Sequence, residues 1–155
     1  MAKEVISDMD DFAKIISIIE NARGRALKAV NAELINMYWE VGEYISKLCS
    51  ESCFGDKIVD DVAVYIHNVA PNIKGFNRRG LYRMKQFFET YKDDEFVSAL
   101  LTQITWTNHL LIMSKAKTKE ERAFYVALSA KERYSSRELE RQLDSAYYER
   151  YILSS

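Results

Sequence analysis

The stretch "FAKIISIIENARGRALKAVNAELINMYWEVGEYISKL", residues 12–48, decides the fold. Apolar residues recur at Phe12, Ile15, Ile19, Ala22, Ala26, Val30, Leu34, Met37, Val41, Ile45 and Leu48, ten steps over 36 residues. That mean of about 3.6 belongs to a straight helix laid against a core rather than to a sustained left-handed supercoil, whose period is about 3.5. Ser7 or Asp8 offers an N-cap, and Gly24 within "ARGRA" is the natural place for a kink or break. Such a stripe extends for about 55 Å at about 1.5 Å per residue, longer than the roughly 30 Å diameter of a small domain. The rest of the chain can hardly cover it. Phe12, Ile15, Ile16 and Ile19 are therefore expected to form an oligomer interface, with a two-fold homodimer as the simplest closed solution. The alternative is a chain that bends back at Gly24 and buries the arm in its own subunit.

Outward from that stretch, 155 residues with one proline and five glycines hold few turn-makers, which favours helices joined by short connections. We expect one all-α, multi-helix domain over residues 1–155, with residues 1–24 as an N-terminal arm. A second helix, Asp56 to Ala70, should face inward through Ile58, Val59, Val62, Ile66 and Val69 until Pro71 stops it. Asn77 is a good N-cap for a third, Arg78 to Tyr91, with Leu81, Met84, Phe87 and Phe88 inward and Arg79, Arg83 and Gln86 outward. Asp93 or Asp94 begins a fourth helix through Phe96, Leu100 and Leu101, and "TWTNHLLIMSKA" supplies a fifth. Capping boxes at Thr118–Glu121 and Ser135–Glu138 start two more, the last running from Ser136 to about Ile152.

The charge is uneven. Between Asp61 and Glu89 there is no carboxylate, while Lys74, Arg78, Arg79, Arg83 and Lys85 supply five of the 22 cationic residues; the other 17 face 23 acidic ones, about −6 for the rest of the chain. The second helix, the turn holding Pro71 and Gly75, and the basic third helix outline a helix-turn-helix-like pair, and arginine's planar fork suits guanine or phosphate. Double-stranded DNA is the expected partner, with those five residues as the nucleic-acid-binding set. The connection "PNIKGFN" is longer than the three or four residues usual for the motif. A basic helix that meets a protein partner, or only solvent, is the competing reading.

Other function classes find little support. The N-terminus lacks an uncharged h-region and a cleavage site, so a cytoplasmic protein is expected. The uncharged run from Phe96 to Ser114 carries too many polar residues for a membrane span and reads as core. Cys49 and Cys53 read as free thiols. His67 and His109 have no Cys or His at metal spacing, so no metal or other cofactor is expected. Glu33, Glu40 and Glu43 read as exposed charges, and His109 in "TWTNHLL" as a hydrogen-bonded packing residue. No nucleophile and base converge, so no catalytic residue is assigned.

Four segments, "NAELINMYWEVGEYI", "PNIKGFNRRGLYRMKQFFETY", "ITWTNHLLIMSKAKTKEERAFYVALSAKERYSSRELERQL" and "SAYYERY", in this order, resemble the N-terminal domain of YhcG-type bacterial proteins. The resemblance covers roughly residues 25 to 153. In that family a helical N-terminal domain precedes a PD-(D/E)xK nuclease domain, so the resemblance implies a non-catalytic module that brings a nuclease to DNA or assembles it with partners. The nuclease core needs an Asp/Glu-x-Lys element to bind Mg²⁺. This chain has none and ends where that domain would begin, so the nuclease domain is expected in a full-length protein and not here. At Gly80, where relatives commonly carry asparagine, glycine is expected to weaken the basic helix by about 1 kcal/mol relative to alanine.

Overall fold

In a computed structural model the protein is described over residues 2–154, with side chains from residue 9 onward. Eight α-helices and no strand occur among the described residues. They are α1 (Ala2–Ser50), α2 (Gly55–Val69), α3 (Arg78–Tyr91), α4 (Glu95–Ser98), α5 (Trp106–Lys115), α6 (Lys119–Glu132), α7 (Ser136–Asp144) and α8 (Tyr147–Ser154), with a 3₁₀ turn at Leu101–Gln103 after α4. The expected all-α architecture with a long first helix is what the chain adopts.

Helix α1 runs through Gly24 without interruption, which removes the alternative of a chain bent back there. Its bounds already enclose Ser7 and Asp8, the expected caps, whose side chains lie outside the described residues. The buried line is not the expected one. It passes through Ile35, Gly42 and Ile45, flanked by half-buried Asn31, Tyr38 and Cys49, whereas Val30 and Leu34 are exposed. The line is displaced by about one position because it uses an asparagine, a tyrosine and a glycine that an apolar count passes over. Asn31 Nδ2 donates to the carbonyls of Thr102 and Ile104, both at 3.0 Å, and ties α1 to the 3₁₀ turn.

Gly42 sets how closely α1 and α3 approach. A Cβ built there would lie 2.0 Å from the Met84 carbonyl oxygen, so the two backbones touch where any side chain would part them. Around this crossing Ile45, Val59, Leu81 and Met84 form one apolar cluster. A larger one gathers Ile35, Phe87, Tyr91, Ile112, Tyr125 and Leu139. Tyr38 and Trp106 pack on both, their rings stacked at 4.3 Å. Phe87 is the hub, meeting Trp39 edge-on at 5.7 Å, Trp106 at 5.1 Å and the His109 ring at 4.8 Å. Truncating such a buried ring costs about 3–5 kcal/mol.

Local chemistry fixes the helix starts. Asn77, Asp94, Thr105, Thr118 and Ser135 each accept a hydrogen bond from a backbone N–H three residues on. The box at Thr118 is modified: Glu121 accepts from Lys117 N–H at 2.6 Å, one residue upstream of the cap itself. Three expectations are corrected. Helix α4 is a single turn that buries Val97 and leaves Phe96 70% exposed. Val69 at the end of α2 is exposed rather than inward. The last helix is broken at Ser145 and Ala146, where Ala146 adopts a φ of 56° and the Tyr125 hydroxyl accepts from Tyr148 N–H at 3.1 Å, so α8 leaves in a new direction with Ile152 exposed.

The two glycines of α1 should answer substitution with opposite signs. Gly24 has nothing within 4 Å of an added Cβ, so Gly24→Ala should stabilise by about 0.5–1 kcal/mol through helix propensity. Gly42→Ala must force the α1–α3 crossing apart and should destabilise by about 1–3 kcal/mol or more. Urea denaturation of the two variants reads both effects, and equal shifts would contradict the crossing.

Candidate nucleic-acid interface

Helix α3 begins where the sequence places it because Asn77, in extended conformation, accepts from Gly80 N–H at 2.8 Å. The turn before it reaches a φ of 88° at Gly75, a left-handed conformation suited to glycine. Gly80 is explained by that turn. A Cβ there would sit 2.0 Å from the Gly75 carbonyl oxygen, so the missing side chain lets the turn fold onto the first turn of α3. Its role is close packing of the chain on itself, which helix propensity alone does not disclose.

Leu81, Met84, Phe87 and Tyr91 are buried, which turns the opposite face of α3 outward. The five expected cations do not act alike. The Arg78 guanidinium lies 2.7 Å from Asp60 of α2, and its pKa is raised by the hydrogen bond with Tyr82 and then by the Asp60 charge. Tyr82 in turn donates to Asp56, a bond that raises the phenol's pKa. Lys85 pairs with Glu89 at 3.2 Å. Burial pushes Glu89 up, but hydrogen bonds from Ser46 and Lys85 outweigh it and hold the carboxylate low.

Lys74, Arg79 and Arg83 have no ion pair or side-chain hydrogen bond among the described residues. Arg79, Arg83 and Gln86 follow at steps of four and three along one face, with Thr90 four further on. Arg78, Arg79, Tyr82, Arg83 and Gln86 border an open recess of about 450 Å³. What sequence reasoning missed is Asp56 and Asp60. They are four apart and share one face of α2, a signal that was readable, but the gap in acidic residues along the chain concealed that α2 brings two carboxylates to the start of the basic helix.

No group of three or more His, Cys, Asp or Glu that could hold a metal occurs among the described residues. No helix among them is long and apolar enough to cross a membrane. His109 is fully buried, its Nε2 donating to the Leu101 carbonyl at 2.8 Å, while Asn108 Nδ2 donates to the Tyr134 carbonyl at 2.9 Å. Both residues of "TWTNHLL" therefore hold the ends of neighbouring elements.

The family described as DUF1016 N-terminal domain matches residues 14–150. The chain belongs to this family. No curated protein and no solved structure matches it. The family match begins inside α1, upstream of the roughly residue 25 where the resemblance begins, so the exposed arm from residue 14 onward is part of the family's domain.

Burial holds the His109 pKa at about 4, below its ordinary 6.5, despite the opposing pull of the Leu101 carbonyl. The folded state thus favours neutral imidazole, and the unfolded chain binds more protons between those two values. Stability due to this group is complete above pH 6.5 and is lost as the pH falls toward 4. Relative to a His109→Gln variant, the parent should lose about 2 kcal/mol between roughly pH 7 and 5 in urea titrations. Parallel pH profiles for the two would contradict it.

Proposed function

We propose that this chain is a non-catalytic DNA-targeting module that acts in the cytoplasm, with Arg79 and Arg83 on phosphates or guanines and Gln86 beside them. The observation that carries the reading is the outward row Arg79, Arg83, Gln86, hydrogen-bonding side chains without a partner among the described residues, while the neighbouring Arg78 and Lys85 are paired. Arginine forks and glutamine amides are the groups that read base edges from a helix lying in a major groove. Lys74, exposed in the turn, adds a third cation for the backbone. The resemblance to YhcG-type proteins supports a PD-(D/E)xK nuclease as the activity so targeted, carried by a further domain of the full-length protein. An assembly role is favoured by a different feature, the uncovered apolar face of α1.

Removing one cation from a phosphate should flatten the salt dependence of duplex binding by about 0.9 log unit. The double variant Arg79→Ala/Arg83→Ala should therefore lower the slope by about 2 and weaken binding to all sequences, while Lys85→Ala, whose charge Glu89 already neutralises, should change it less. Fluorescence anisotropy against salt measures this. Identical slopes for parent and double variant would remove α3 from the interface.

A further inference from the structure

A second line along α1, offset from the expected stripe at several positions, faces solvent for most of its length. Its first half carries Phe12, Ile16, Ile19 and Arg23, all exposed, and its second half Val30, Leu34, Val41 and Tyr44, of which only Val41 is half-buried. With exposed Leu27 and half-buried Met37 added, these positions advance by threes and fours, a mean of about 3.6 over the helix. They form a strip about 48 Å long and roughly 10 Å wide. Contiguous apolar surface of several hundred Å² on a protein marks an interaction site. At its far end the strip enters an apolar groove of about 460 Å³, where Val41, Tyr44 and Ile45 face Val62 and Ile66 of α2.

We infer that this strip is covered by the same strip of a second copy of the chain, with the two α1 helices antiparallel and a two-fold axis beside residue 28. That register sets the apolar ends of the strip on one another and gives its one charge an opposite partner. Residues whose numbers sum to 56 then meet: Phe12 of one copy lies over Tyr44 of the other at the mouth of the groove, and Ile19 over Met37. Arg23, the one charge within the strip, meets Glu33 at the strip's edge, and neither residue has an ion pair among the described residues of its own chain. Parallel helices would instead set Arg23 against Arg23, a like-charge contact that costs specificity and affinity. Lys28, on the axis, lies about 100° round the helix from Leu27 and off the strip. An isologous contact of this kind closes at two copies and leaves both α3 faces outside it.

The register is tested on the full chain. The parent should sediment as a dimer at tens of micromolar. Arg23→Glu and Glu33→Arg should each raise the dimer dissociation constant about tenfold or more, and the double swap should recover it. Both sites are exposed, and unchanged far-ultraviolet circular dichroism verifies that the variants fold. In a Cys49→Ser/Cys53→Ser background, Phe12→Cys chains should cross-link to Tyr44→Cys chains and not to one another. A monomeric parent, a failed recovery by the double swap, or cross-links between two Phe12→Cys chains would each overturn the pairing.

Discussion

The contact between Gly42 and the Met84 carbonyl is the constraint on which the rest of the molecule depends. Two helix backbones meet there with no side chain between them, and the closeness fixes the depth at which α3 sits under α1. At that depth Leu81 and Met84 reach Ile45 and Val59, and Phe87 reaches the rings of Trp39, Trp106 and His109. The outward face of α3 is a consequence of the inward one. Because four residues of α3 are consumed by the core, Arg79 and Gln86 are left exposed, with Arg83 half-buried between them. The glycine that makes the core compact therefore also aims the candidate nucleic-acid surface.

Much of this architecture was legible in the residues. The scarcity of Gly and Pro, the caps at Asn77, Asp94, Thr118 and Ser135 and the period of 3.6 yielded the helical class and the bounds of α3. The face of α1 was not legible. Period counting weights leucine and valine above glycine and asparagine, yet Gly42 is buried because it is small and Asn31 is half-buried because it holds two carbonyls. The same weighting placed Phe96 inward, where Val97 is the buried residue. The break after Asp144 was hidden for another reason: alanine at a positive φ carries no sequence signal, and the conformation is held from a distance by the Tyr125 hydroxyl. At the candidate interface the cations were readable. Their division into paired and free depends on which face α2 turns toward α3.

Three polar residues of the interior share one role: their side chains donate to backbone carbonyls at the ends of short elements. Asn31 serves the carbonyls around the 3₁₀ turn, Asn108 the carbonyl of Tyr134, and His109 that of Leu101. Buried backbone carbonyls without a donor cost free energy comparable to that of a missing hydrogen bond. Short elements such as α4 and the 3₁₀ turn create many such carbonyls, and a core built from them needs side-chain donors. The motif "TWTNHLL" supplies two of these beside an aromatic ring that joins both clusters.

Helix α1 is one element by its hydrogen bonds and two by its local stability. From Ile35 onward, opening a turn must also expose buried side chains, so its amides share the cooperative unfolding of the core. From Met9 to Val30 no large apolar side chain is buried within the chain, and the backbone there is held by little more than its own propensity, interrupted by Gly24. Most helical stability in proteins comes from the packing of an apolar face, which this segment lacks within its own chain. In a lone subunit amide protons of the arm would exchange with solvent far faster than those a few turns later in the same helix, and the boundary between the two regimes falls near Asn31, where the first tertiary hydrogen bonds begin.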